Sequence, residues 1–230
     1  MKTIQRSIVG LFAASLASIF VSTTDAALYQ KGEVKLQSIG PLATGPDGVL
    51  FVSDPKAACI IAIKTAAKPT GNPSGNFKVE GLNAKVAAVL GASVDQVRII
   101  DLAVDTSSQT AYLSVIRGQG ANANAAVVSV RPSGKIHVLS LKNVQHAVAK
   151  LSNAPADQET GTGRRRRNQR MESITDIAFV KGKVIVAGLS NEEFSSTLRT
   201  IPFPFEGSQK GTGVRIFHGA HGRYETSSPV

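Results

Sequence analysis

The sequence predicts a mainly β chain of about three repeated four-stranded antiparallel units with short helical insertions. Three observations predict it. Runs of β-branched and aromatic residues recur, each bounded by Gly, Pro, Asp or Ser turns. They fall in the same order at three places, 39–63, 99–141 and 174–205. Helical spacing is confined to two short stretches, 83–97 and 144–151.

The chain opens with Lys2 and Arg6, an apolar stretch from Ile8 to Val21, and small residues at Thr24 and Ala26. That order is the order of an export signal, with cleavage expected after Ala26 and an uncleaved membrane anchor as the other reading. The apolar stretch is shorter than the ~20 residues that span a bilayer. No later segment has the length or apolarity to span one. The expectation is therefore an exported protein, periplasmic or secreted, with one domain over 27–230. Cys59 is the single cysteine, so no internal disulfide forms. Its run AACIIAI reads as strand, with Cys59 a small buried hydrophobe.

The first unit, 36–66, contains GPDGVLFVSD. Pro46, Asp47 and Gly48 make a tight turn between a short strand at Leu42–Ala43 and the apolar run Val49–Val52. The second unit, 99–141, repeats this order with Asp101–Val104, Ala111–Ile116 and a fourth strand, Lys135–Leu141, entered through Pro132-Ser133-Gly134. The third unit, 174–218, has Asp176–Phe179, Val184–Ala187 and a candidate fourth strand at Val214–Phe217. Ala43, Ala103 and Ala178 occupy equivalent places, and the excess spacing lies in insertions at 80–98 and 143–172. In the first insertion, Ser93 and Gln96 have the spacing of a capping box. In the second, Val144, Ala147, Val148 and Leu151 read as a short helix with His146 on its polar side.

The second unit spans 43 residues, close to the ~40–45 of a propeller blade. The repeat, with GPDGVLFVSD, resembles β-propellers of the NHL or lactonase-like kind. With the export signal, the mature chain is similar to secreted bacterial propeller-like proteins without an assigned activity. The chain has no Trp, so tryptophan-aspartate and tryptophan-docked blades are not matched. About three blades fall short of the four to eight of a closed propeller. The expectation is an open, incomplete propeller, a fragment of a larger ring, with a β-sandwich as the alternative. In such an arc the end faces, around 60–63 and 201–205, would be uncovered and available for self-association.

Propeller topology places first-strand entries and second-to-third-strand loops on one face. Here that face would collect Asp54, Asp101, Arg117, Asp176, Asn191, Glu192 and Glu193 as ligand-binding candidates. The resemblance to lactonase-like propellers implies that Asp101 and Asp176, with these oxygens, hold Ca²⁺ for hydrolysis. The other reading is that both aspartates hydrogen-bond neighbouring blade backbones or close turns. His218 and His221 are three apart and are the candidate metal pair, but glycines break their segment and no third ligand completes a set. No GxSxG elbow occurs.

Net charge is +10, and loss of Lys2, Arg6 and Asp25 with the signal leaves +9. Arg164, Arg165, Arg166, Arg167 and Arg170 sit in 152–170, a stretch almost without apolar residues, expected to be a mobile loop. It reads as a contact for an anionic surface or as a solvated insertion. No aromatic residue interleaves the arginines, which argues against a specific nucleic-acid platform. Two function classes follow: a non-enzymatic binding or scaffold propeller of the cell envelope, or a metal-assisted hydrolase of the lactonase-like type. The sequence holds no complete catalytic motif that decides between them.

Overall fold

Turn chemistry and apolar runs set the strands. The computed structural model describes residues 29–69, 78–192, 195–205, 211–218 and 222–225. The expected export signal, Glu193 and His221 lie outside them. The chain runs β1 Gln30–Gly32, β2 Leu42–Thr44, β3 Val49–Asp54, β4 Cys59–Lys64, α1 Leu82–Leu90, β5 Val97–Asp105, β6 Thr110–Arg117, β7 Asn124–Val130, β8 Ile136–Val138 and β9 Val144–Lys150. It continues through β10 Glu159–Thr160, β11 Arg167–Asn168, β12 Asp176–Val180, β13 Lys183–Leu189, β14 Ser196–Pro202, β15 Thr212–Gly213, β16 Ile216–His218 and β17 Arg223–Glu225.

The described strands form three larger antiparallel sheets and two hairpins. The first sheet has the order β1-β9-β4-β3-β2, the second β5-β6-β7-β8 and the third β12-β13-β14-β15. The GPDG turn joins β2 to β3. Asp47 (φ 54°) and Gly48 (φ 71°) are both left-handed, which Asp tolerates and Gly favours. The Gly45 amide donates to Val49 O at 2.8 Å. A Cβ on Gly45 would stand 2.6 Å from Phe51 Cε2, so the Phe51 ring fills the space that the glycine leaves.

The first sheet lies between the other two. Phe51, Ile60, Ala62, Ala147 and Ala149 pack against Ile177, Val184, Val186 and Ile201 of the third sheet. On the opposite face, Leu50, Val52, Ile61 and Ile63 pack with Tyr112 and Val127 of the second. Both faces are apolar because both are covered. That is why VLFV and CIIAI are continuous rather than alternating runs. β2 adjoins β5 on one side and β12 on the other. The first unit is thus the middle layer, and Ile60 to Ile63, expected at an uncovered end, are at most 4 % exposed.

The middle sheet also corrects the reading of 144–151. This segment is strand β9, which pairs with β4 from Cys59↔Lys150 to Ile63↔His146, while β1 pairs on its far side. The chain completes the second sheet and then returns to add a strand to the first. A helical Val144, Ala147, Val148, Leu151 pattern is overridden because β4 presents an open edge whose amides and carbonyls need partners. His146, expected on a helix's polar side, is buried, with Nε2 3.1 Å from Gln30 Nε2.

Helix α1 covers the outer face of the second sheet. Val86 is fully buried there among Leu113, Val115 and Val128, with Leu82 and Leu90 beside it. The helix is shorter than 83–97. Gly91 (φ 61°) closes it, and the amide of Ala92 donates to Ala87 O. Ser93 makes no side-chain cap to the following short turn, so the capping-box expectation fails. The outer face of the third sheet has no such cover among the described residues: Val180 and Leu198 are 49 % and 42 % exposed.

Two further expectations change. The fourth strand of the third sheet is Thr212–Gly213, and Ile216–His218 pairs instead with Arg223–Glu225. The arginine segment is not a structureless loop. β10 and β11 form a hairpin with Glu159 opposite Asn168. Asn168 Nδ2 donates to Asp157 at 2.7 Å, and Arg166 Nε lies 2.8 Å from Glu159.

Candidate functional site

The aspartates expected on one face are used separately. Asp54 ends β3 and is 1 % exposed. Its carboxylate accepts from the amides of Gln37 (2.7 Å), Ser38 (3.0 Å) and Ala57 (3.1 Å), and from Ser38 Oγ (2.8 Å). It locks the approach to β2 onto the β3–β4 turn. Asp101 lies within β5, and its Oδ2 accepts from the Leu42 amide at 2.8 Å. This bond ties β5, the edge strand of the second sheet, to β2, the edge strand of the middle one. Asp176 is exposed and accepts from the amide of Ile177.

The remaining candidates also point to local partners. Arg117 Nη2 donates to Gly91 O at 3.3 Å, where a cation complements the C-terminal end of α1. Glu192 Oε1 accepts from Asn153 Nδ2 at 3.0 Å, and the Asn191 amide donates to Asn153 O at 2.8 Å. The β13–β14 turn is therefore tied to the segment following β9. His218 sits opposite Arg223 in the final hairpin. Among the described residues, no group of three or more His, Cys, Asp or Glu side chains is placed to hold a metal ion. No helix among them is long and apolar enough to cross a membrane.

The five arginines flank or occupy the β10–β11 hairpin. Arg164 is exposed at its tip, Arg166 pairs with Glu159, Arg167 lies 3.8 Å from Glu172, and Arg170 Nε donates to Pro155 O. Three nearby acids, Asp157, Glu159 and Glu172, offset part of the positive charge. Exposed pairs of this kind contribute about 0–1 kcal/mol, so the hairpin is held weakly and its tip faces water.

Several chemically relevant groups were not singled out by the sequence. Asp105 closes the β5–β6 turn. Burial pushes its carboxyl up, but hydrogen bonds from Ser108 and Ser107 outweigh this and hold it below the ordinary carboxylate value. Arg199 is 1 % exposed. Its Nη2 reaches Ser152 O and Leu189 O, each at 3.4 Å. Burial lowers its pKa, and Glu192 partly counters this. Strand alternation places Arg199 on the face of Ile201, so the period of two was its available signal. Cys59, which the sequence did single out, is buried in β4 as expected; burial, with the Asp54 charge, pushes its thiol up to about 12, so it is not a thiolate at neutral pH.

Concave regions occur elsewhere among the described residues. An open cleft of about 510 Å³ lies at the end of the second sheet, beside Asp95, Arg98, Ile116 and Gln119. A smaller notch of about 240 Å³ lies at the seam of the middle and third sheets, beside Tyr29, Lys64, Phe179 and Phe203. Its aromatic walls come from segments far apart in the chain, which no local motif would have linked.

No protein-family model and no curated protein matches the chain. Among solved structures, the chain is similar to the PQQ-bound aldose sugar dehydrogenase from Streptomyces coelicolor at 12% identity, covering 84% of this chain and 85% of that one, with a TM-score of 0.22. It is similar to a streptogramin B lyase at 11% identity, covering 76% and 59%, with a TM-score of 0.15. The described strands establish a mainly β fold of antiparallel sheets, with no closed barrel among them.

Proposed function

We propose that this chain is an exported, non-enzymatic binding or scaffold module of the bacterial cell envelope, built as a partial β-propeller whose sheets act as blades. The observation that carries this reading is the Asp101–Leu42 bond. The carboxylate best placed for a channel-lining ligand joins two sheets through a main-chain amide instead. Asp54 is spent in the same way on four donors. The outer face of the third sheet, with Val180 and Leu198 exposed and no cover among the described residues, supports self-association by addition of a further sheet.

The competing reading is a Ca²⁺-assisted hydrolase acting from Asp101 and Asp176. Calorimetric titration of the folded chain with Ca²⁺ separates the two. The scaffold reading predicts no stoichiometric binding at millimolar Ca²⁺. It also predicts that Asp101→Asn destabilises the chain by about 1–2 kcal/mol, with or without the ion, because the Leu42 amide loses a charged acceptor. Stoichiometric Ca²⁺ binding that disappears in both Asp101→Asn and Asp176→Asn would establish the hydrolase geometry and overturn the reading.

A further inference from the structure

The notch at the seam of the middle and third sheets has three aromatic walls. Phe203 stands nearly perpendicular to Tyr29 (83°, centroids 6.3 Å apart) and to Phe179 (89°, 6.2 Å). Phe51, fully buried, braces them from behind, stacking on Phe179 at 5.3 Å and meeting Phe203 edge-on at 4.9 Å. The walls are therefore fixed by the core, while Tyr29, Phe179 and Phe203 keep part of their surface in contact with water. Pro46 and Pro204 extend the apolar lining.

Size restricts the occupant. The volume is about 240 Å³. An apolar cavity of about 150 Å³ accepts benzene, and sites for drug-sized molecules start at about 300 Å³. The notch matches one ring with a small substituent.

Charge restricts it further. Lys64 Nζ is held 4.5 Å from the Tyr29 ring centroid. Among the described residues, no carboxylate lies within 4.0 Å of this ammonium. Of the lining residues, Lys64 and Asp47 carry charge. Lys64 Nζ is the one beside the aromatic wall and has no described carboxylate against it, so it is the group placed to meet an anion on a bound ring.

We propose that this notch binds a small single-ring aromatic carboxylate, with the ring against Phe203 between Tyr29 and Phe179 and the carboxylate on Lys64 Nζ. A neutral ring of the same size forgoes the ion pair, and a ring bearing an ammonium meets Lys64 as a like charge. This deepens the binding half of the reading above. It uses a ligand and residues separate from the Ca²⁺ titration, so either can fail alone.

The test titrates the full chain with phenylacetate, benzyl alcohol and benzylammonium, following the aromatic side-chain NMR signals and the heat of binding. Phenylacetate is expected to saturate, at least tenfold more tightly than the other two. Lys64→Gln, a change at an exposed position, should remove that advantage and leave benzyl alcohol binding as it was. Absence of saturable phenylacetate binding overturns the proposal. So does equal binding of all three probes, or a phenylacetate affinity unchanged in Lys64→Gln with the fold intact by circular dichroism.

Discussion

Replacing Asp54 by alanine is expected to destabilise the chain by about 3–5 kcal/mol, because burying unsatisfied donors costs about 1–3 kcal/mol each. The side chain is 1 % exposed, and its carboxylate serves three main-chain amides and one hydroxyl. Water has little access to replace it. The donors belong to 37–38 and to the β3–β4 turn, so their release frees the entry to β2 and loosens the middle sheet that both neighbours pack on. Against a typical net stability of ~5–15 kcal/mol, this change approaches complete unfolding. Asp54→Asn keeps one acceptor oxygen and should cost about 1–2 kcal/mol. Urea unfolding of both variants, followed by circular dichroism, checks the ranking. An alanine variant within about 0.5 kcal/mol of the parent, the usual range for surface substitutions away from special features, would mean that Asp54 is not a structural centre.

The second large effect is expected at Phe51. It has no exposed surface, and it touches Phe179, Phe203 and Phe205 with ring centroids 5.3, 4.9 and 6.1 Å away. Phe→Ala at such a site costs about 3–5 kcal/mol through lost transfer energy and the cavity left behind. The loss falls on the contact between the middle and third sheets, so the third sheet should loosen first. Hydrogen exchange resolves this: amides of β13 and β14 should lose more protection in Phe51→Ala than those of β6 and β7, which meet the middle sheet on its other face. Equal loss in both regions would place Phe51 in a core common to all three sheets.

The elements legible in the sequence were those whose signals are local. GPDG followed by VLFV specified a turn and a strand because Asp47 and Gly48 accept left-handed backbone and the β-branched run does not. The residues of β6 and β13 were legible for the same reason. β9 was not, because QHAVAK has alanines suited to helix and an apolar spacing that fits either period. What decides its conformation is the open edge of β4, more than 80 residues earlier in the chain. The order of the layers was hidden likewise. Continuous apolar character in β3 and β4 signals burial on both faces, but not which units cover them.

The site divides along the same line. Sequence reasoning found Asp54 as a ligand-binding candidate, and for Asp101 and Asp176 it weighed a ligand role against a backbone role without deciding. The decision depends on where the amides of Gln37 and Leu42 lie, which is tertiary information. The aromatic notch was invisible because Tyr29, Phe179 and Phe203 come from three separate segments, and each alone reads as an ordinary core residue.

The account rests centrally on a middle sheet completed by a strand that returns after the second sheet. Cys59 on β4 lies directly opposite Lys150 on β9. Directly opposed residues have Cβ atoms about 4.5–5.5 Å apart, near the spacing that a disulfide bridges with small adjustment. Cys59 is the chain's single cysteine, so Lys150→Cys creates one possible intramolecular pair and a clean readout. Mild oxidation of the folded variant, followed by intact mass measurement and non-reducing electrophoresis, makes the test. The account predicts loss of two hydrogens and a faster-migrating monomer, formed in the native state over prolonged oxidation at alkaline pH because burial keeps Cys59 protonated, and lost when oxidation is carried out in urea. A variant that stays reduced while folded, or that links only between molecules, would contradict the placement of β9 beside β4 and with it the three-layer fold.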